Sequence, residues 1–154
     1  MGNYNLTYNL LIITVLATFL FTNCNDSTET QLKLPLEQQQ AEQVFTIEDF
    51  CKEKYDSIFI LPPYYYTQKQ EFANLNMSKK IRSFCESAIY NEPYSTILFI
   101  SNGKVKGYAV VQRSNADFAT KEIEDNHFFP IEQTFIMDKQ RNVYIYNEQT
   151  HKAQ

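Results

Sequence analysis

Three cysteines, two histidines and a run of three tyrosines are the side chains of greatest chemical reach in this 154-residue chain. Cys24 closes an apolar run, which leaves Cys51 and Cys85 as a pair. In an oxidising compartment an even pair invites a disulfide, worth about 3–4 kcal/mol by chain entropy. The other reading is two thiols buried on apolar helix faces. Neither cysteine sits in a nucleophile signature. His127 follows Glu122, Glu124 and Asp125, with Asp117 upstream. That spacing matches no metal-binding motif, and a run of acids in a loop reads as solvated. Asp56, Arg113 and Asp117 are expected to meet at one end of a sheet as an ion pair or polar pocket. His151 lies in a polar tail and has no assigned role.

The most unusual surface candidate is Pro62-Pro63-Tyr64-Tyr65-Tyr66. Tyrosine offers a large rigid face with a polar tip, which partner and sugar sites use. Two uses are open: alternate tyrosines pack back on the core while the prolines shape a turn, or Tyr64, Tyr65 and Tyr66, with Arg113, form a ligand or partner edge. The sequence contains no Gly-rich phosphate loop, no Ser-centred nucleophile elbow and no Cys/His metal spacing. No cofactor, metal or catalytic set is therefore expected. The function read from these residues is a non-catalytic accessory or interaction role. The alternatives are a small-ligand or glycan binder at the tyrosine edge, and an enzyme with an unfamiliar site around His127 or a free Cys85.

The elements that hold these residues are organised around residues 96–111, where two apolar, β-branched and aromatic runs flank Asn102-Gly103. Asn-Gly between such runs signals a type I′ hairpin, because both turn residues need φ > 0. The first run has no polar interruption and reads as a strand covered on both faces. Residues 55–61 read as a buried strand stopped by Pro62-Pro63. Residues 133–137 and 142–146 predict a second hairpin. Helices are predicted from Thr46, with Asp49 in its first turn, from a capping box at residues 67–70, and over residues 78–90. Residues 113–126 read as a polar loop with one helical turn. The sum is an α+β fold: an antiparallel sheet of about five strands with two or three short helices on one face. A net charge of −4 without a basic cluster gives no footprint for nucleic acid.

Residues 10–21 are almost wholly apolar, and no charged side chain precedes Asp26. As a helix this run spans roughly 18 Å, short of the ~30 Å hydrocarbon core. It reads as the apolar region of a signal peptide, or as an uncleaved anchor, over residues 1–23. Leu20-Phe21-Thr22-Asn23-Cys24 resembles a bacterial lipoprotein signal, in which the cysteine becomes the lipidated first residue. Residues 24–43, polar and glutamine-rich with Pro35 inside, read as a tether. Residues 44–150 are then a single domain, held on a membrane by the amino-terminal anchor.

A second resemblance covers roughly residues 44–118. Tyr55-Asp56-Ser57-Ile58-Phe59-Ile60-Leu61-Pro62-Pro63-Tyr64, then Phe99-Ile100-Ser101-Asn102-Gly103-Lys104-Val105, then Arg113-Ser114 and Asp117-Phe118, look like a group of small bacterial lipoproteins of unknown function. That resemblance implies an anchored domain of the bacterial cell envelope; the interaction reading of the residues leaves an envelope protein or a glycan as its partner. It supplies no catalytic residues.

Overall fold

The computed structural model describes residues 29–147. Cys24, the leader over residues 1–23 and His151 lie outside them. The predicted central hairpin is present as β4 (Tyr94–Ser101) and β5 (Lys104–Gln112). Asn102 and Gly103 have φ of 51° and 68°, the positive values a type I′ turn requires. A Cβ on Gly103 would meet nothing within 4 Å, so glycine is favoured there by backbone conformation and not by space.

β3 (Ser57–Leu61) lies antiparallel to β4, and every one of its residues is buried. β6 (Phe128–Pro130) pairs on the far side of β3, and β1 (Thr30–Gln31) pairs parallel to β5. The strand order is β1-β5-β4-β3-β6. The sheet has five strands but is mixed, where an antiparallel one was expected. The second predicted hairpin also forms, as β7 (Thr134–Met137) and β8 (Val143–Ile145). It does not extend the main sheet. With β2 (Val44–Thr46) it makes a separate three-stranded antiparallel sheet, β2-β7-β8. Phe45, Phe135, Met137 and Val143 from this small sheet share one core with Ile58, Ile60, Ile97 and Phe99 of the main sheet. Stacking sheet on sheet buries a whole face of the hairpin, which addition at an edge would leave wet.

The opposite face of the main sheet carries Phe59, Leu61, Leu98 and Ile100, and helices cover it. They are α1 (Gln70–Ala73), supplying Phe72, and α2 (Lys79–Ala88), supplying Ile81 and Cys85. A third helix, α3 (Lys121–Asp125), packs on the other side, with Ile123 in the first core. Helices therefore lie on both sides of the main sheet, against the expectation of one. Ser78 caps α2 by accepting from the Ile81 amide, as residues 78–90 predict. Thr46 and Asp49 do exchange backbone-to-side-chain bonds of 2.9 and 3.2 Å, yet only a 3₁₀ turn at Glu48–Phe50 follows. Cys51 turns extended, and no apolar stripe continues through residues 52–54 to hold a longer helix. The capping box at residues 67–70 is not used either. Lys69 takes the N-cap position of α1 with no side-chain cap, so Thr67 stands two residues too early to serve.

The expected tether over residues 24–43 is corrected for its described part. From Thr30 the chain belongs to the domain, and Leu34 and Leu36 are buried in the first core. Gly107 makes room for this docking: a Cβ there would stand 2.5 Å from Leu32 Cδ1 and 2.9 Å from the Thr30 carbonyl oxygen. Arg141 clamps the same segment, donating to the carbonyls of Leu36, Gln39 and Asn115. Among the described residues no helix is long and apolar enough to cross a membrane.

Candidate functional site

Pro62-Pro63 ends β3 because neither residue has an amide to give a neighbouring strand. The chain then turns sharply. Tyr64 takes a positive φ of 60°, uncommon for a bulky residue, while its amide donates to the Ile89 carbonyl at 2.7 Å. That bond ties the turn to the end of α2. The three tyrosines alternate. Tyr65 points into the second core at 4% exposure, whereas Tyr64 and Tyr66 stand out at 64% and 65%. The middle ring packs back on the core, as one expected use of the run had it, and its two neighbours are left exposed.

Beneath the two exposed rings is a pocket of about 440 Å³. Residues 62–66 form one wall, and Lys69, Glu124, Asp125 and His127 complete it. Its charged groups come from the turn before α1 and the carboxyl end of α3. Arg113, expected at this edge, is not part of it. Arg113 follows β5 and grips Asp117 through two bonds of 2.8 Å, while Asp117 also accepts from the Ala119 amide at 2.9 Å. The hydrogen bonds to Asp117 raise the Arg113 pKa further above its ordinary value. This ion pair is structural. Asp56 does not join it, because it sits at the opposite end of β3 and accepts from the Asn102 amide at 2.5 Å.

His127 is 3% exposed and directly precedes β6. Its carbonyl accepts from the Ile60 amide at 2.9 Å, and its Nδ1 lies 3.1 Å from the Ile60 carbonyl. A carbonyl only accepts, so in the neutral ring Nδ1 holds the proton and Nε2 carries the lone pair. The ring meets Tyr65 edge-on, with centroids 4.3 Å apart, and lies 5.9 Å from Phe59. Nε2 makes no hydrogen bond, and neither does the buried Tyr65 hydroxyl. A buried polar atom left unpaired costs about 1–3 kcal/mol, and such atoms gather where a site is kept for something else. Burial, then the nearby Lys69 charge, pushes the His127 pKa down, against the Ile60 and Glu124 carbonyls and Glu71. Burial and then Glu71 push the Tyr65 hydroxyl up to about 12. At neutral pH the pair is therefore an uncharged imidazole beside an uncharged phenol.

A larger groove of about 700 Å³ runs between residues 31–37 and the outer edge of β5 at Val110 and Gln112. None of the unpartnered buried atoms lines it. The smaller pocket has convergent charges, exposed aromatic faces and unsatisfied atoms beneath it, and these features mark a binding site better than volume does. Set beside protein-family models, curated proteins and solved structures, the chain gives no match.

The two remaining cysteines are free thiols. Cys51 packs against the first core and Cys85 lies inside the second, so the main sheet stands between them. The disulfide that the sequence left open is absent for that reason. Burial raises the Cys51 pKa to about 11 and the Cys85 pKa to about 12, which keeps both as inert thiols. Among the described residues no group of three or more His, Cys, Asp or Glu side chains is placed to hold a metal ion. Of the residues at this site, the tyrosines stood out in the sequence, whereas Lys69, Glu124 and Asp125 did not stand out as their companions. His127 directly before Phe128-Phe129 was the available signal, since a histidine leading an apolar strand is placed for burial.

Proposed function

We propose that this chain is a membrane-anchored lipoprotein domain of the bacterial cell envelope whose role is to bind a glycan without transforming it. The pocket under Tyr64 and Tyr66 carries the binding half of this reading. Sugars present apolar C–H faces and rims of hydroxyl groups. The two exposed aromatic faces suit the first, while the Glu124 and Asp125 carboxylates and the Lys69 ammonium suit the second. The turn is held by the Tyr64 amide bond to Ile89 and by the buried Tyr65, so the two outer rings are pre-positioned.

Because Tyr64 and Tyr66 are mostly exposed, replacing both with alanine should leave the melting temperature within a few degrees of the parent. The same double variant should lose at least about tenfold in affinity for the N-acetylglucosamine trimer or maltotriose, measured by calorimetry. Unchanged affinity would remove the tyrosine edge from the function. The anchored half rests on the apolar leader and Cys24, together with the lipoprotein-like motifs. Intact mass of the mature protein from membranes should show a chain beginning at Cys24 with added acyl mass. An unmodified chain beginning at Met1 in the aqueous fraction would end that half.

A further inference from the structure

Under the glycan pocket lie two polar atoms that the fold does not use. His127 Nε2 and the Tyr65 hydroxyl are both buried, and neither has a partner within hydrogen-bond geometry, although the Glu124 carbonyl stands near enough to the imidazole to raise its pKa. Both rings are held in place by their neighbours. The His127 ring is oriented by the Ile60 carbonyl at Nδ1, and the Tyr65 ring is wedged against Phe59 and Phe72 at centroid distances of 5.8 and 6.2 Å. Nε2 offers a lone pair, and the phenol offers a proton besides its own lone pairs.

We infer that His127 Nε2 and the Tyr65 hydroxyl together select a sugar hydroxyl, which donates to the imidazole while its oxygen accepts from the phenol. The inference rests on the glycan reading of the pocket and names the atoms that give it specificity. A single group that satisfies both the Nε2 lone pair and the phenol proton must donate and accept at once. A carboxylate or a fully ionised phosphate has no proton for Nε2, and an ammonium has no lone pair for the phenol proton. Anions are further disfavoured by Glu71, Glu124 and Asp125 around the site. A hydroxyl meets both demands without charge. Tyr65 and His127 both line the pocket, as does Lys69, whose ammonium sits over the Tyr65 ring at 5.2 Å. Lys69 is an exposed, long side chain, so it can move without moving backbone.

The test uses the full chain in a detergent without sugar head groups, the N-acetylglucosamine trimer and maltotriose as probes, and two near-isosteric variants. Tyr65→Phe deletes only the hydroxyl. His127→Asn keeps a donor near the Nδ1 position for the Ile60 carbonyl and deletes Nε2. Each should bind the trisaccharide about tenfold more weakly than the parent. Tyr65→Phe should melt no lower than the parent, because it removes an unsatisfied buried group. If His127→Asn fails to fold, Tyr65→Phe alone decides. Unchanged sugar affinity in these variants, alongside loss of binding in the Tyr64/Tyr66 double alanine variant, would overturn this inference and leave the pocket reading standing. A lower melting temperature for Tyr65→Phe would also overturn it, since the hydroxyl would then have a partner within the fold. Failure of the parent to bind either trisaccharide at millimolar concentration would end the glycan reading and this inference with it.

Discussion

His127 carries a measurable consequence in the absence of any ligand. Its folded pKa is depressed, by burial first and by Lys69 second, with Glu71 and the Glu124 and Ile60 carbonyls opposing. A histidine held neutral in the fold is free to take a proton once the chain unfolds, where its pKa is about 6.5. The unfolded state thus binds more protons between the depressed value and 6.5. The stability that comes from keeping His127 uncharged is fully present above pH 6.5 and is lost as the pH falls toward the folded pKa. The slope is at most about 1.4 kcal/mol per pH unit for one proton. The charged groups that face the ring are Lys69, Glu71, Glu124 and Asp125, and they are retained in a His127→Asn variant. Thermal melts of parent and variant from pH 7 to pH 5 should therefore diverge, the parent losing more. Parallel curves would mean that the ring is accessible to protons in the folded state.

At the scale of elements, what was legible followed short-range rules. Asn102-Gly103 announced its turn and Pro62-Pro63 its strand end, because each acts through one or two backbone bonds. The alternation of the tyrosine run between core and surface was legible for a similarly local reason, the turn that the two prolines shape. Less visible were matters settled by distant contacts. β1 has only two residues, with no pattern of its own, and exists because Gly107 lets it approach β5. The second hairpin looked like a continuation of the main sheet, and only packing across the core sends it to a sheet of its own. Lys69 and Asp125 are 56 positions apart by their numbers (125 less 69), and no periodicity links them. Gly107→Val tests the first of these points. Its side chain would collide with the Thr30 carbonyl, so β1 must move away. We expect a loss of about 1–3 kcal/mol and faster hydrogen exchange at the Leu32 amide, which donates to the Tyr108 carbonyl. Unchanged exchange at Leu32 would show that β1 is not held by that approach.

Taken as a whole molecule, the domain is two cores back to back across one sheet, and this arrangement explains both what it excludes and what it offers. It separates Cys51 from Cys85, which rules out the disulfide, and raises both thiol pKa values. It also brings the end of β3, the turn before α1 and the carboxyl end of α3 to one edge. Exposed aromatic rings, a mixed-charge rim and two unsatisfied buried atoms coincide there, whereas the groove along residues 31–37 and the cavity beside Phe50 and Tyr55 lack that combination. The measurement that tests this account most directly is a titration of the ¹⁵N-labelled full chain with the N-acetylglucosamine trimer and with maltotriose, followed amide by amide. The account predicts saturable shifts confined to residues 62–69 and 124–127 for at least one of the two. Shifts centred on the groove between residues 31–37 and Val110, or no saturable shifts at all, would contradict it.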